Sequence, residues 1–161
     1  MIVADLGTLR AEYPRAIVAL GTFDGIHRGH QAILRRTLAW ARTVAGTSAV
    51  LTFDRHPLEV LRPDQAPRVI TPLPLKAAIL EDLGFDLLAV VRFDRRLADT
   101  PAAAFVQDAL LARLNVVGVC VGYNFGFGRG RGGTPDLLAQ AGRAHGFGVD
   151  VIRRWSTPAA R

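Results

Sequence analysis

Apolar residues follow two rhythms along this chain. Short unbroken runs alternate with longer stretches whose apolar positions recur three and four apart. Ala16–Gly21 reads as a first strand, and Arg28–Ala45 as a helix with Ile33, Leu34, Thr37, Leu38 and Ala41 along one face. Ser48–Phe53 reads as a second strand, and Leu73–Leu83 as a helix closed by Gly84. Asp86–Arg92 is a third strand. Pro101–Leu114 follows as a helix, with Thr100 as its N-cap and Pro101 at its first position. Asn115–Val121 is a fourth strand, Pro135–His145 a helix set between Thr134 as N-cap and Gly146, and Val149–Trp155 a fifth strand.

Continuous apolar strands alternating with helices predict an α/β fold, a doubly wound Rossmann-like parallel sheet of about five strands with helices on both faces. In such sheets right-handed crossovers place ligands at the carboxyl ends of the strands. Two connections on that side, Asp54–Pro72 and Gly122–Gly133, are longer than joining two elements requires. Both are candidates for binding loops.

At 161 residues the chain suits one domain. No run reaches the ~20 apolar residues that cross a bilayer. Asp5, Arg10 and Glu12 interrupt any leader-like apolar stretch at the start, so a cytoplasmic location is expected. The single cysteine, Cys120, lies in a valine-rich run and is expected to be a buried, inert thiol. The net charge of +6 is carried almost wholly by arginine, with Lys76 the one lysine. That charge suits small polyanions as well as nucleic acid, but the arginines are scattered and no nucleic-acid motif occurs, so neither a nucleic-acid nor a membrane partner is expected.

The strongest chemical signal is Gly21-Thr22-Phe23-Asp24-Gly25-Ile26-His27-Arg28-Gly29-His30. It runs from the end of the first strand into the first helix, where free backbone N–H groups and the positive end of the helix dipole favour an anion. His27 and His30 are three apart and share a face of the opening turn. Two imidazoles there can donate hydrogen bonds to phosphate oxygens, and Gly29 between them has no side chain to keep a phosphate away.

This segment resembles the H-x-G-H signature of the nucleotidylyltransferase superfamily. Its longer form, G-x-F-D-G-x-H-x-G-H, is similar to the FMN adenylyltransferase (FAD synthetase) module of bacterial bifunctional riboflavin kinase/FAD synthetases. Thr52-Phe53-Asp54-Arg55-His56-Pro57 resembles that family's T-F-x-x-H-P stretch, although Leu61 stands where the pattern often has an aromatic residue. Gly122-Tyr123-Asn124-Phe125-Gly126-Phe127-Gly128 resembles its G-x-N-F-x-F-G element. The tail from Ser156 to Arg161 resembles S-S-T-x-x-R, with Thr157 at the second serine and Pro158 in place of the threonine.

The resemblance implies transfer of the AMP group of ATP to FMN, giving FAD and pyrophosphate, with Mg²⁺ entering on ATP. It implies catalytic roles for His27, His30 and Arg161. It places Gly21, Thr22, Phe23, Asp24, Gly29, Asn124, Ser156 and Thr157 at ATP, and Phe53, His56, Pro57, Phe125 and Phe127 at the flavin. Gly128, Gly130, Gly132 and Gly133 would let a loop move over the phosphates, with Arg129 and Arg131 adding charge. Residues 1–161 are expected to form the nucleotidylyltransferase domain alone, with riboflavin kinase activity needed from elsewhere.

Three other readings remain open. The fold could bind nucleotide or flavin without turnover, or use another acceptor such as nicotinate mononucleotide, phosphopantetheine or phosphocholine. Gly128-Arg129-Gly130-Arg131-Gly132-Gly133, with Asp150 beyond it, contains the G-x-G-x-x-G of dinucleotide-binding oxidoreductases, but it follows the fourth strand rather than opening the first βαβ unit. No G-x-x-x-x-G-K-[ST] occurs, which sets aside a P-loop.

Overall fold

The computed structural model describes residues 1–153. Its centre is one sheet of six parallel strands in the order β1-β4-β3-β2-β5-β6. These are β1 (Ile2–Asp5), β2 (Ala16–Leu20), β3 (Ser48–Phe53), β4 (Leu87–Val91), β5 (Val116–Gly122) and β6 (Gly148–Ile152). Every residue of β2 and β4 is buried, which is why these strands read as unbroken apolar runs rather than alternating ones. Successive side chains still point to opposite faces. Ala16, Val18 and Leu20 join one core layer, and Ile17 and Ala19 join the other.

Helices cover both layers. On one face lie α1 (Arg28–Thr43) and α3 (Leu73–Leu83), contributing Ile33, Leu34, Ala41 and Leu80. On the other lie α5 (Ala102–Phe105), its continuation as a π-helix over Val106–Arg113, and α6 (Pro135–His145), contributing Phe105, Leu110 and Leu138. The expected stops and starts appear. Gly84 ends α3 at φ +100°, and the Thr134 hydroxyl accepts the Leu137 N–H at 3.1 Å at the head of α6. Cys120 is fully buried, and burial pushes its thiol up to about 11. Among the described residues no helix is long and apolar enough to cross a membrane.

Three details differ from the sequence reading. β1 is a sixth strand, pairing in parallel with the outer side of β4; Ile2 and Val3 are half-exposed at the edge, so this strand lacks a fully buried run. Asp54–Pro72 is not a plain loop, since it contains the short helix α2 (Pro57–Leu61) and a 3₁₀ turn at Pro63–Gln65. Thr100 does not cap α5: Pro101 takes the N-cap position, and the Thr100 hydroxyl donates to the Arg96 carbonyl at 2.9 Å. A short preceding helix, α4 (Arg95–Ala98), supplies that acceptor.

The segment after β5 is knitted down rather than free to swing. Phe127 and Gly133 form an antiparallel bridge with N···O distances of 3.0 and 2.8 Å, and the Arg129 N–H donates to the Thr100 carbonyl at 2.8 Å. Gly128 has φ +73°, and a Cβ there would lie 2.8 Å from the Ala102 backbone. Its glycine serves close packing on α5. Gly128→Ala is therefore expected to destabilise the fold by roughly 2 kcal/mol through strain and overpacking. A shifted midpoint in urea unfolding would report it; an unchanged midpoint would show that this segment gives way freely.

Candidate active site

The strand order reverses between β2 and β5. Chain connections from β2 run one way through β3 to β4, then cross back to β5 and on to β6. The carboxyl ends of β2 and β5 therefore border the crevice where open α/β sheets receive ligands. The β2-to-α1 corner, residues 21–27, stands at that crevice. Its backbone is strained: Phe23, Gly25 and Ile26 have φ of 50°, 79° and 41°.

Residues just before α3 and in its first turn hold this corner. The Asp24 carboxylate accepts the N–H groups of Thr71 at 2.7 Å and Ile70 at 3.1 Å. The Gly25 N–H donates to the Thr71 hydroxyl at 2.8 Å, and the Lys76 ammonium donates to the Thr22 carbonyl at 2.7 Å. Partial burial opposes ionisation of Asp24, but these backbone donors and Lys76 outweigh it and hold the carboxyl below its usual range.

His27 is the N-cap of α1; its Nδ1 accepts the His30 N–H at 3.4 Å, which leaves Nε2 as the ring's N–H donor. The two imidazoles stack with centroids 3.6 Å apart and planes 22° apart. Phe23, fully buried, meets the His30 ring edge-on at 5.4 Å and forms its floor. A Cβ on Gly29 would come within 3.1 Å of the His27 ring, so glycine there lets that ring stay in place. His30 Nδ1 is buried without a hydrogen-bond partner.

Burial first, then the neighbouring His27 and Lys76 charges, push the His30 imidazole down to about 4, against a pull from Asp24. In the ligand-free chain His30 is neutral at neutral pH and offers hydrogen bonds rather than charge. The folded value lies below the ordinary 6.5, so as pH falls the unfolded chain takes the proton first. Stability from this residue is thus complete above about pH 6.5 and is lost progressively down to about pH 4. Urea unfolding across that window is expected to decline more steeply for the wild type than for His30→Gln. Parallel curves would contradict it.

A second cleft opens on the other side of the corner, between the ends of β2 and β3. Thr22, Phe53, His56, Val69, Leu73 and Lys76 are among its walls. His56 is the N-cap of α2, its Nδ1 accepting the Leu58 N–H at 3.0 Å, so its Nε2 is again the donor. Phe53 packs edge-on against Phe93, 5.5 Å between centroids. The Asp54 carboxylate accepts the Phe93 N–H at 2.8 Å, and the half-exposed Arg55 lies 3.6 Å from it.

The structure thus gathers Thr22, Asp24, Gly29, His27 and His30 at the corner, with Phe53 and His56 beside them in the second cleft; Pro57 opens α2 and is not among that cleft's walls. Some expectations change. Phe23 cannot touch a ligand with its side chain, since the ring is fully buried beneath His30. Gly21 is likewise buried, against the Phe23 ring. Asp24 spends its carboxylate on backbone donors. Phe127 is core, 5% exposed and packed on Phe105, and Phe125 stacks 6.0 Å behind it, so neither is among the walls of the second cleft. Asn124 is exposed just beyond β5, and its carbonyl accepts from Arg131 at 3.0 Å. Ser156, Thr157, Pro158 and Arg161 lie outside the described residues. Asp150 pairs with Arg36 of α1, and the glycine-rich run forms a 3₁₀ turn at Arg129–Arg131 rather than opening a helix.

Thr71 and Lys76 are the site residues the motifs did not reveal. A signal for Lys76 was present: the one lysine of an arginine-rich chain sits at helical spacing with the apolar Leu73, Ala77 and Leu80.

Sheet order, capped corner and stacked imidazoles define the class, a Rossmann-like α/β domain with two stacked imidazoles at its β2-to-α1 corner. The chain belongs to the FAD synthetase family, a family of nucleotidyltransferases, whose model matches residues 9–160. It is 39% identical over 133 residues to the bifunctional riboflavin kinase/FMN adenylyltransferase of Escherichia coli K12, covering 83% of this chain and 42% of that one. The protein of the same name from Pseudomonas fluorescens is 38% identical over 152 residues, covering 94% and 49%. The chain spans less than half the length of these relatives. A solved structure titled macrolide-efflux protein, from Streptococcus pneumoniae, superposes with a TM-score of 0.81 over 97% of this chain and 50% of that one, and at 23% identity shows the shared fold.

Proposed function

We propose that this chain transfers the AMP group of ATP to FMN, giving FAD and pyrophosphate. The observation that carries the reading is the stacked His27–His30 pair, 3.6 Å apart at the sheet's switch point, in a chain of the FAD synthetase family. ATP lies with its phosphates at the head of α1, between the β2 corner and the end of β5. Thr22, Gly29 and Asn124 border it there, and the family resemblance adds Ser156, Thr157 and Arg161, which lie outside the described residues, as further ATP contacts. FMN lies in the second cleft against Phe53 and His56.

An FMN phosphate oxygen attacks the α-phosphorus in line. The bond from the α-phosphorus to the bridging oxygen breaks, and pyrophosphate leaves with that electron pair. No side-chain nucleophile is needed, so the chain's contribution is alignment and hydrogen bonds to charge developing on the phosphates. His27 donates through Nε2–H. His30 is neutral when free and gains stabilisation as a donor when a polyphosphate displaces water beside it.

Mg²⁺ would enter on the phosphates of ATP, since magnesium keeps much of its water and takes few protein ligands. FMN itself must come from phosphorylation of riboflavin, the other activity for which the bifunctional relatives are named.

Incubation of the chain with ATP, Mg²⁺ and FMN is expected to yield FAD and pyrophosphate in equal amounts, followed by chromatography. Binding of both substrates without FAD would leave a binding module. FAD formation replaced by adenylation of nicotinate mononucleotide or phosphopantetheine would move the chain to another acceptor.

A further inference from the structure

Lys76 is the only lysine in the chain, and the fold hides it: the residue is 6% exposed. One ammonium N–H reaches the Thr22 carbonyl. An ammonium has donors for two more partners, and the described residues provide neither a further hydrogen bond nor a carboxylate at ion-pair distance. Burial holds its pKa below the ordinary 10.5, with Asp24 pulling the other way. The nearest carboxylate to act on it, Asp24, lies beyond ion-pair distance and accepts from the Thr71 and Ile70 N–H groups, and a buried cation so weakly compensated is unfavourable until an anion joins it. Lys76 also stands where such an anion would be useful. It lines the second cleft beside Phe53 and His56, and its charge is felt at His30 across the corner.

We propose that Lys76 binds the phosphate of the flavin substrate and makes this site select a phosphorylated flavin over riboflavin. The inference rests on the FMN reading given above. The attacking group is a doubly charged phosphate that must approach a triphosphate, and a desolvated ammonium between the two offsets their repulsion. Lysine suits this because it is a compact point charge with freely turning donors. Arg55, the other cation on this cleft, is half-exposed and lies beside Asp54, so it is screened and partly committed.

The test compares FMN and riboflavin binding to wild-type, Lys76→Met and Lys76→Arg chains by fluorescence titration, with ATP binding measured alongside. Losing a charged hydrogen bond to phosphate should weaken FMN about 10- to 100-fold in Lys76→Met. Riboflavin binding should stay within about twofold, and Lys76→Arg should recover part of the FMN affinity, as expected for a retained charge. Because Lys76→Met also frees the Thr22 carbonyl, a wild-type measurement guards against misfolding. A chain labelled with ¹⁵N-lysine has one side-chain ammonium resonance, which should move on adding FMN or inorganic phosphate and stay put with riboflavin.

Equal weakening of FMN and riboflavin would overturn the proposal and leave Lys76 as a clamp on Thr22. So would an ammonium resonance that responds to tripolyphosphate alone. If Lys76→Met makes FAD with an unchanged KM for FMN, this inference fails while the adenylyl-transfer reading stands. If the wild type binds no flavin and makes no FAD, both fall.

Discussion

His30→Ala is expected to leave a folded chain that makes FAD about 10²–10³-fold more slowly, the loss typical of removing one preorganised donor from a reacting oxyanion. The fold should survive because His30 lies at the first turn of α1, partly exposed, and its ring contacts are with His27 and Phe23. Removing a half-buried imidazole with an unpartnered Nδ1 relieves an unfavourable contact rather than opening a core cavity. The loss should fall on kcat more than on KM for ATP, since His27 and the backbone at the head of α1 still hold the triphosphate. Single-turnover FAD formation, with circular dichroism to verify folding, decides it. Turnover near the wild-type rate in a folded variant would remove His30 from the reaction.

Phe23→Ala should act on stability first. The ring is fully buried in the layer formed by Ile17, Leu34, Val50 and Leu80, and truncating such a phenylalanine costs about 3–5 kcal/mol. In a chain of this length the melting temperature should fall by roughly 10 °C. The same change takes away the floor under His30, so the surviving folded fraction should be slow as well. Phe23→Leu separates the two effects. It keeps most of the volume, so melting should move much less, while the edge contact with the imidazole is lost. If Phe23→Leu turns over normally, His30 does not depend on that floor.

What the sequence revealed, and what it did not, follows from how local each signal is. β2, β3, β4 and β5 were visible because burial on both faces makes the apolar run continuous; their bounds shifted by a residue at most. β1 escaped because an edge strand of four residues, with Ile2 and Val3 half-exposed, has no such run. The His27–His30 pair was legible through its spacing, which sets two rings on one helical turn. The partners of Asp24 were not, because Thr71 and Ile70 lie 47 and 46 residues away, and only the folded sheet brings them to the corner. Thr100 shows a local rule losing to its neighbour. A threonine before proline is a good cap by composition, yet the carbonyl of Arg96 claimed its hydroxyl. Phe125 and Phe127 read as flavin contacts by motif; packing against Phe105 took Phe127 into the core, with the half-buried Phe125 stacked on it.

The attachment of Thr71, Ile70 and Lys76 to the β2–α1 corner divides the connection after β3 into unequal parts. Its far end is shared machinery, since altering it disturbs both clefts at once. The stretch from about residue 58 to 69, with Leu61 and Val69 facing solvent, is not tied to that corner by any described hydrogen bond. Redesign toward a bulkier or more polar acceptor should therefore begin there, where sequence can drift while the adenylate half is inherited intact.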